Sequence, residues 1–410
     1  MCGILGIIDP NNKINISKND AINRLEHLLE ESIKKRLIAD VPIGIFLSGG
    51  IDSSLIAYYA KKHNNNIKSF TIKMGNDSYD ESKYAKLVAD SLGMKNYIAE
   101  FDDDAILQSL DFVESKLDEP LSDPSILPTF LLSKFAKEHV KVALSGDGAD
   151  ELFCGYAPFK SINYLKTLSY IPKSIGNIIS LIADSVPTKD SYMSYHFILK
   201  HVSRGFGWPS QQQVFRWMAP LSDRSISNLL SKDYTFSSNA KNNWDKLFQQ
   251  ELNNKQEITD SLSKMFFDYY LPNDILTKVD RASMYNGLEV RSPFLSKPII
   301  EFSYLLSNKH KLQKSQTKLI LRELSAKILP KNISTRKKHG FAIPLAKMLR
   351  GPLKEKVEDT LLSTNYLISK YFNRSELESL LKNHFKGIDN RKPIWAIYML
   401  YKNTERLSKL

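Results

Sequence analysis

The sequence has little cysteine and no long apolar run. Its two cysteines, Cys2 and Cys154, are too few for the disulfide framework of a small secreted protein. No stretch approaches the roughly 18 apolar residues that a membrane-spanning helix needs. Residues 1–10 also lack the basic start and long apolar centre of a signal peptide. These absences predict a cytoplasmic protein that has no membrane partner.

No segment concentrates charge of one sign. The net charge is +12, from 57 Lys plus Arg against 45 Asp plus Glu, but basic and acidic residues are mixed along the chain. Nucleic-acid binding is permitted by this charge and is not the favoured prediction. The sequence contains no internal repeat. A chain of 410 residues can bury a large core and form two domains, or one large domain with a lobe.

Strand and helix patterns alternate up to residue 155. The predicted strands are 41–47, 67–72, 97–99 and 140–144, after a short apolar strand at 1–9. The predicted helices lie near 22–37, where Ser17 and Asp20 form a capping pair, and near 53–62, 80–92, 103–117 and 127–138. Repeated βα units of this length predict an α/β protein with a doubly wound parallel sheet. Residues 156–410 show mainly helical periodicity, which predicts a large helical part.

The first stretch with recognisable chemistry is the loop Ser48-Gly49-Gly50-Ile51-Asp52-Ser53-Ser54, between an apolar strand and a helix start. Glycines expose backbone N–H groups, hydroxyls donate hydrogen bonds, and a helix N-terminus adds positive charge, so the loop suits phosphate. The Asp52 carboxylate would repel phosphate unless a divalent cation lies between them. The alternative is an ordinary βα turn in which Asp52 and a serine cap the helix.

A second acidic glycine loop, Ser145-Gly146-Asp147-Gly148-Ala149-Asp150-Glu151, follows the strand at 140–144. Ligands of doubly wound sheets bind at the carboxyl ends of strands, where the strand order reverses. If the strands ending at 47 and 144 are neighbours there, both loops face one crevice. Asp52 and Asp150 could then share a metal ion with the phosphates of a nucleotide. Two unrelated βα turns are the alternative.

These loops resemble signatures of a known family. The first is similar to the pyrophosphate-binding loop of the ATP pyrophosphatases (PP-loop, adenine nucleotide α-hydrolase-like proteins). The second resembles a signature of the synthetase domain of glutamine-dependent asparagine synthetases. Further matching segments are Tyr79–Ser82, Asp118–Pro120 with Asp123, Leu271–Arg281, Leu288–Leu295 and Arg336–Phe341 with Pro344. The resemblance covers about residues 24–400. Ser296 stands where the family usually has Asp, and Cys154 where it usually has Gly.

The resemblance implies an ATP- and Mg²⁺-dependent ligase. A substrate carboxylate attacks the α-phosphorus of ATP, pyrophosphate leaves, and ammonia displaces AMP to form an amide. Aspartate is the preferred substrate, and another carboxylate such as a uronic acid of a polysaccharide is the alternative. By motif position, ATP and pyrophosphate would be bound by Leu47, Ser48, Gly49, Gly50, Asp52, Ser53, Ser54, Ile72, Ser145 and Gly146. Asp52 and Asp150 would hold Mg²⁺, Lys338 would place a cation on the phosphates, and Asp147 and Glu289 would orient or deprotonate ammonia.

Some of these residues also fit structural roles. Lys338 lies in a basic loop that could simply be solvated, and Glu289 and Arg291 alternate as on a strand edge. Taken alone each is better explained structurally, whereas the ordered set of motifs favours function.

The N-terminus resembles the start of the family's glutaminase domain, in which the Cys2 thiolate would attack glutamine. Only residues 3–47 separate Cys2 from the first loop, and the expected glutamine-binding motifs are absent. We therefore expect residues 1–20 to be a remnant and Cys2 an inactive relic nucleophile. Residues 21–410 then form the synthetase-like domain, with an ATP-binding core at 21–155 and a mainly helical part at 156–410. Ammonia would come from solution or a separate glutaminase.

Two other classes are open. A PP-loop enzyme that modifies tRNA is permitted by the charge, but the second and third signatures oppose it. A non-catalytic remnant is opposed by the intact synthetase acids and Lys338. Assembly as a homodimer is also open.

Overall fold

A computed structural model of the chain describes residues 13–74, 80–183, 195–231, 234, 257–314, 316–334 and 343–409. The described residues form two compact units. The first draws on residues 1–102, 125–163 and 256–342, and the second on residues 103–124, 164–255 and 343–410. The division predicted after residues 20 and 155 stays a prediction.

The first unit contains a five-stranded parallel sheet in the order β3-β2-β1-β4-β5. Its strands are β1 Ile43–Phe46, β2 Lys68–Met74, β3 Asn96–Phe101, β4 Val142–Leu144 and β5 Glu289–Arg291. The α/β class, the doubly wound sheet and the four predicted strands between residues 41 and 144 are confirmed. The predicted strand at 1–9 lies outside the described residues.

The strand order reverses at the β1–β4 pair, as the sequence predicted for the strands ending at 47 and 144. Ile45 of β1 lies opposite Leu144 of β4, and both side chains are completely buried. Parallel strands are buried on both faces, which explains why β1 and β4 read as apolar runs. The carboxyl ends of the two strands therefore lie side by side.

Helices cover both faces of the sheet. Those of the first unit are α1 Lys18–Arg36, α2 Ile51–His63, α3 Ser82–Ser91, α5 Ile126–Lys137, α6 Ala149–Leu152, α12 Ile258–Met265, α13 Thr277–Met284, α14 Lys297–Leu305, α15 Leu319–Ile328 and α16 Lys331–Ser334. The predicted cap of α1 is confirmed, because the Ser17 hydroxyl accepts a hydrogen bond from the Asp20 amide at 3.2 Å. Helices α1, α2 and α15 pack together, whereas α5 packs against β2 and α13.

Two further features of the first unit bear on the site. A π-helical segment, Phe266–Leu276, contains Pro272 and joins α12 to α13. A short hairpin of β6 Leu312–Gln313 and β7 Gln316–Thr317 leads into α15.

The described part of the second unit is helical. Its helices are α4 Asp103–Lys116, α7 Ile162–Ser169, α8 Lys173–Ala183, α9 Tyr195–Ser203, α10 Ser210–Met218, α11 Asp223–Leu229, α17 Leu345–Arg350, α18 Lys354–Leu362, α19 Arg374–Phe385 and α20 Arg391–Leu407. Helix α20 packs against α4, where the buried Tyr398 hydroxyl donates to the Glu114 carboxylate. Across the described residues, every helix is too short or too polar to cross a membrane.

Candidate active site

Two serine hydroxyls fold the first glycine loop back on itself. Ser48 Oγ and Ser53 Oγ lie 3.1 Å apart, and each accepts a backbone N–H of the loop, from Gly50 and from Ser48 respectively, at 3.3 Å. Gly50 is the N-terminal flanking residue of α2, and no side chain caps the helix there. Because glycine offers no side chain to cap the helix, the start of α2 suits an incoming anion.

Gly49 is the residue that only glycine can fill in this loop. Its φ is +68°, and a Cβ built on it would lie 2.4 Å from the Tyr84 carbonyl carbon and 2.6 Å from the Ala85 nitrogen. These are backbone atoms of α3, which cannot yield as a flexible side chain could. Helix α3 is fixed in turn by Asp80, whose carboxylate accepts the Ser82 amide at 2.9 Å. The loop conformation thus depends on close contact with α3.

The second glycine loop touches the first. A Cβ on Gly146 would lie 3.1 Å from the Asp52 Cβ and 3.4 Å from the Ser53 nitrogen. The Ser145 hydroxyl donates to the Asp147 carboxylate at 2.6 Å. Both loops therefore line one site at the strand-order reversal, as the sequence predicted.

A lysine joins the carboxylates of the two loops. Lys318 Nζ lies 2.5 Å from Asp52 Oδ2 and 2.6 Å from Asp150 Oδ1. The space between the predicted metal ligands thus accommodates a cation, and the ammonium stands in for one. Two carboxylate oxygens together with nucleotide phosphates form the oxygen donor set that Mg²⁺ prefers, so the residues fit the metal. Within the described ranges, no group of three or more His, Cys, Asp and Glu side chains could hold a metal ion by itself.

Lys318 comes from a part of the chain that sequence reasoning did not assign to the site. It follows the β6–β7 hairpin, adopts a left-handed conformation with φ +56° and immediately precedes α15. Burial lowers the pKa of the Lys318 ammonium, but the charges of Asp150 and Asp52 outweigh burial and hold that pKa above its usual value. Lys318 is therefore charged in this arrangement.

Asp147 faces a different cation. Burial raises the pKa of the Asp147 carboxyl, while the Ser145 hydrogen bond and the charge of Lys278 partly offset the effect. Lys278 is a buried residue of α13. A raised pKa makes the Asp147 carboxylate a stronger base than an ordinary Asp carboxylate.

The remaining predicted nucleotide-binding residues lie on the same edge of the sheet. Leu47 ends the β1 segment, and its carbonyl accepts the Thr71 hydroxyl at 2.7 Å. Ile72 follows Thr71 on β2 and is buried, as are Leu47 and Ser54. These residues lie next to the first loop, and their contacts with adenosine stay a prediction.

The structure does not bring Glu289 to the other acids. It begins β5, opposite Val142 at the start of β4, whereas Ser145 lies beyond the end of that strand. Its exposed carboxylate pairs with Arg291 at 2.7 Å. Arg291 also donates to the Ile38 carbonyl at 2.9 Å beyond α1, which ties α1 to the sheet edge. Two more predicted residues, Lys338 and Cys2, lie outside the described residues.

Cys154 has a backbone conformation that is unusual for a residue other than glycine. Its φ is +57°, a region that side chains other than glycine rarely adopt. A glycine at this position, as in the resembled family, would remove that strain. The Cys154 thiol is fully buried, and burial raises its pKa to about 12, so it is not a reactive thiolate.

Known proteins share sequence similarity with this chain. The family model described as asparagine synthase matches residues 24–403. The glutamine-hydrolysing asparagine synthetase 1 of Bacillus subtilis (strain 168) is 28% identical over 397 residues, which cover 94% of this chain and 59% of that protein. A putative glutamine-hydrolysing asparagine synthetase of Mycobacterium bovis is 29% identical over 386 residues, covering 91% and 56%. The chain thus spans a little over half the length of these relatives.

Among solved structures, a U34-tRNA thiolase of Methanococcus maripaludis matches 65% of this chain and 87% of its own chain, with 15% identity. Its TM-score is 0.27, so no conclusion about this chain is drawn from that similarity. The family match extends over nearly the whole chain and includes both glycine loops and Lys318. The chain therefore belongs to the asparagine synthase family.

Proposed function

We propose that the chain is an ATP-dependent ligase that converts a carboxylate, with aspartate as the first candidate, into an amide. The observation that carries the proposal is the contact between the two glycine loops, with Asp52 and Asp150 joined through one cation at the strand-order reversal. A cation between two carboxylates beside the start of α2 suits a triphosphate whose charge must be neutralised. Family membership supports the same activity.

The reaction proceeds in two steps. A carboxylate oxygen of the substrate forms a bond to the α-phosphorus of ATP, and the bond from that phosphorus to the bridging oxygen of pyrophosphate breaks. Ammonia then attacks the acyl carbon, the bond to the AMP oxygen breaks, and the attacking nitrogen loses a proton. Bound Mg²⁺ would neutralise negative charge on the phosphates.

The residues of the first loop hold the leaving group. The N–H groups at the start of α2 and the hydroxyls of Ser48 and Ser53 would donate to pyrophosphate, while Asp52 and Asp150 would hold the metal. Because these donors are fixed before the reaction, they stabilise the developing charge without reorganisation. Leu47, Ile72 and Gly146 are proposed to line the adenosine.

Asp147 is the proposed proton acceptor for the ammonia step. Its raised pKa and its position on the second loop support this role. Lys338 is proposed to place its charge on the phosphates, in keeping with its motif. The nitrogen source is proposed to be free ammonia or ammonia from a separate glutaminase.

The test measures AMP and pyrophosphate in a mixture of ATP, Mg²⁺, ammonium and one candidate acid. We expect aspartate-dependent release by the wild-type chain, and at least a ~100-fold lower rate for Asp52→Asn, because loss of one ligand charge weakens stabilisation of the leaving group. Asp223→Asn, on α11, is the matched control. Release that requires a different acid would replace aspartate as the substrate, and absence of release with every acid would contradict the proposal.

A further inference from the structure

Lys318 places a positive charge between Asp52 and Asp150, where a metal site would hold its metal ion. The ammonium contacts one oxygen of each carboxylate, so the two oxygens lie within about 5 Å of each other. A divalent cation held by both carboxylates would need the same space. The ammonium and the metal ion are therefore competitors for one position.

We propose that Lys318 is an internal counter-ion that occupies the divalent-cation position while no nucleotide is bound, and that it leaves this position when the metal arrives with the nucleotide. The inference deepens the proposed function, on which it rests for the identity of the metal and the nucleotide. It assigns Lys318 a positioning role: the lysine keeps two like charges together until the metal replaces it.

The first argument is electrostatic. Two carboxylates this close repel each other and would separate, or one would bind a proton, if no cation lay between them. Removing one partner of a buried charge cluster leaves an uncompensated charge, which is strongly destabilising. With Lys318 between them, the two carboxylates are held near each other before any metal binds.

The second argument is steric. The Lys318 stem passes over Gly155, where an added Cβ would lie 2.1 Å from Lys318 Cε and 1.9 Å from Asp150 Oδ1. The absence of a side chain at Gly155 thus leaves the space in which the lysine reaches both acids. A lysine has four rotatable side-chain bonds, so its ammonium can move to a nearby anion while its backbone stays fixed.

A neighbouring cation is held differently. Arg322 lies one turn further along α15, and its guanidinium donates to the Thr317 carbonyl at 2.9 Å and to the Ser334 carbonyl at 3.0 Å. These bonds tie Arg322 to the backbone around α15. The charge of Asp52 also acts on Arg322, whereas Lys318 pairs directly with both Asp52 and Asp150.

The competition has a consequence for the order of binding. A metal ion alone must displace an ammonium that is already paired with both acids. A metal that arrives with a nucleotide also brings phosphates, which give the displaced ammonium a new partner. We therefore expect weak metal binding without nucleotide and strong positive coupling between metal and nucleotide.

The test measures binding of Mn²⁺, without nucleotide, by the loss of its free-ion electron paramagnetic resonance signal. We expect Lys318→Met to bind Mn²⁺ at least ~10-fold more tightly than the wild type, the size of an ordinary coupling between two ligands. Lys318→Arg keeps the charge and should bind as weakly as the wild type. Lys314→Met, an exposed lysine of the same hairpin, is the control for loss of one positive charge and should leave the affinity unchanged.

Equal or weaker Mn²⁺ binding by Lys318→Met would overturn the inference. If this variant unfolds without metal, the Mn²⁺ dependence of its melting temperature yields the same affinity through mass action. The outcome is separate from the proposed function, because the Mn²⁺ measurement uses neither ATP nor an acid. Tighter binding without pyrophosphate release by the wild type would keep the counter-ion role and remove the ligase assignment.

Discussion

Replacing Gly49 by alanine tests whether contact with α3 holds the first glycine loop in shape. The added Cβ meets two penalties. A left-handed φ of +68° costs a residue other than glycine ~1–2 kcal/mol. Forcing the methyl group into the backbone at Tyr84 and Ala85 costs ~1–3 kcal/mol more, since a helix backbone yields less than a side chain. The free energy of unfolding should therefore fall by ~2–5 kcal/mol.

Gly93 supplies a matched control at the other end of the same helix. Its φ is +58°, but apart from its chain neighbours no described residue has a heavy atom within 4 Å of an added Cβ. Gly93→Ala should therefore show the backbone penalty alone, ~1–2 kcal/mol. Urea-induced unfolding, followed by circular dichroism, gives both values under the same conditions.

The difference between the two variants isolates the clash with α3. We expect Gly49→Ala to be less stable than Gly93→Ala by ~1–3 kcal/mol and to bind ATP more weakly. Equal stability of the two variants would refute the argument, because it would mean that the loop and α3 are not in contact or can separate without cost. If Gly49→Ala bound ATP more weakly but was as stable as Gly93→Ala, the shape of the loop would not depend on its packing against α3.

Two further outcomes are expected. Asp147→Asn should slow ammonia-dependent amide formation by at least ~100-fold, the usual size of a proton-transfer contribution. Glu289→Gln should slow it less than ~3-fold, because Glu289 faces solvent beside Arg291. If a product assay showed the larger loss for Glu289→Gln, the roles of the two residues would be exchanged. Burial lowers the pKa of His384 to about 4, so the unfolded chain binds more protons between pH 6.5 and 4, and the free energy of unfolding should fall by about 3 kcal/mol as the pH drops through this range. His384→Gln should flatten that pH dependence, and an unchanged slope in urea unfolding would contradict it.

Local pattern was sufficient for the core of the sheet. The apolar runs of β1 and β4 and the glycine loops that follow them are contiguous in sequence, so strand, loop and helix start could be predicted together. The general rule for open sheets then brought Asp52 and Asp150 to one edge, and the structure joins both to one cation. The alternation of Glu289 and Arg291, which offered a strand edge as the structural alternative, is confirmed by the short strand β5.

Lys318 could not be predicted because nothing local marks it. It is 266 residues from Asp52 in sequence, and its segment carries helical rather than loop signals. The one available signal was a lysine directly before an amphipathic helix, followed four residues later by Arg322. That pattern is common on solvated helix faces, where it has no link to a site. Only the three-dimensional packing of α15 on α1 and α2 brings this lysine to the carboxylates.

The distance in sequence between Asp52 and Lys318 also affects the order in which the site is completed during synthesis. At ~5–20 residues per second, the lysine leaves the ribosome roughly 13–53 s after Asp52, the acid 266 residues before it. Until then, a nascent chain whose strands β1 and β4 have already paired carries two adjacent carboxylates without their lysine. Magnesium ions of the cell can bridge the pair during this interval. The cation position would then be filled first by the metal, next by the lysine, and by the metal again whenever a nucleotide brings it.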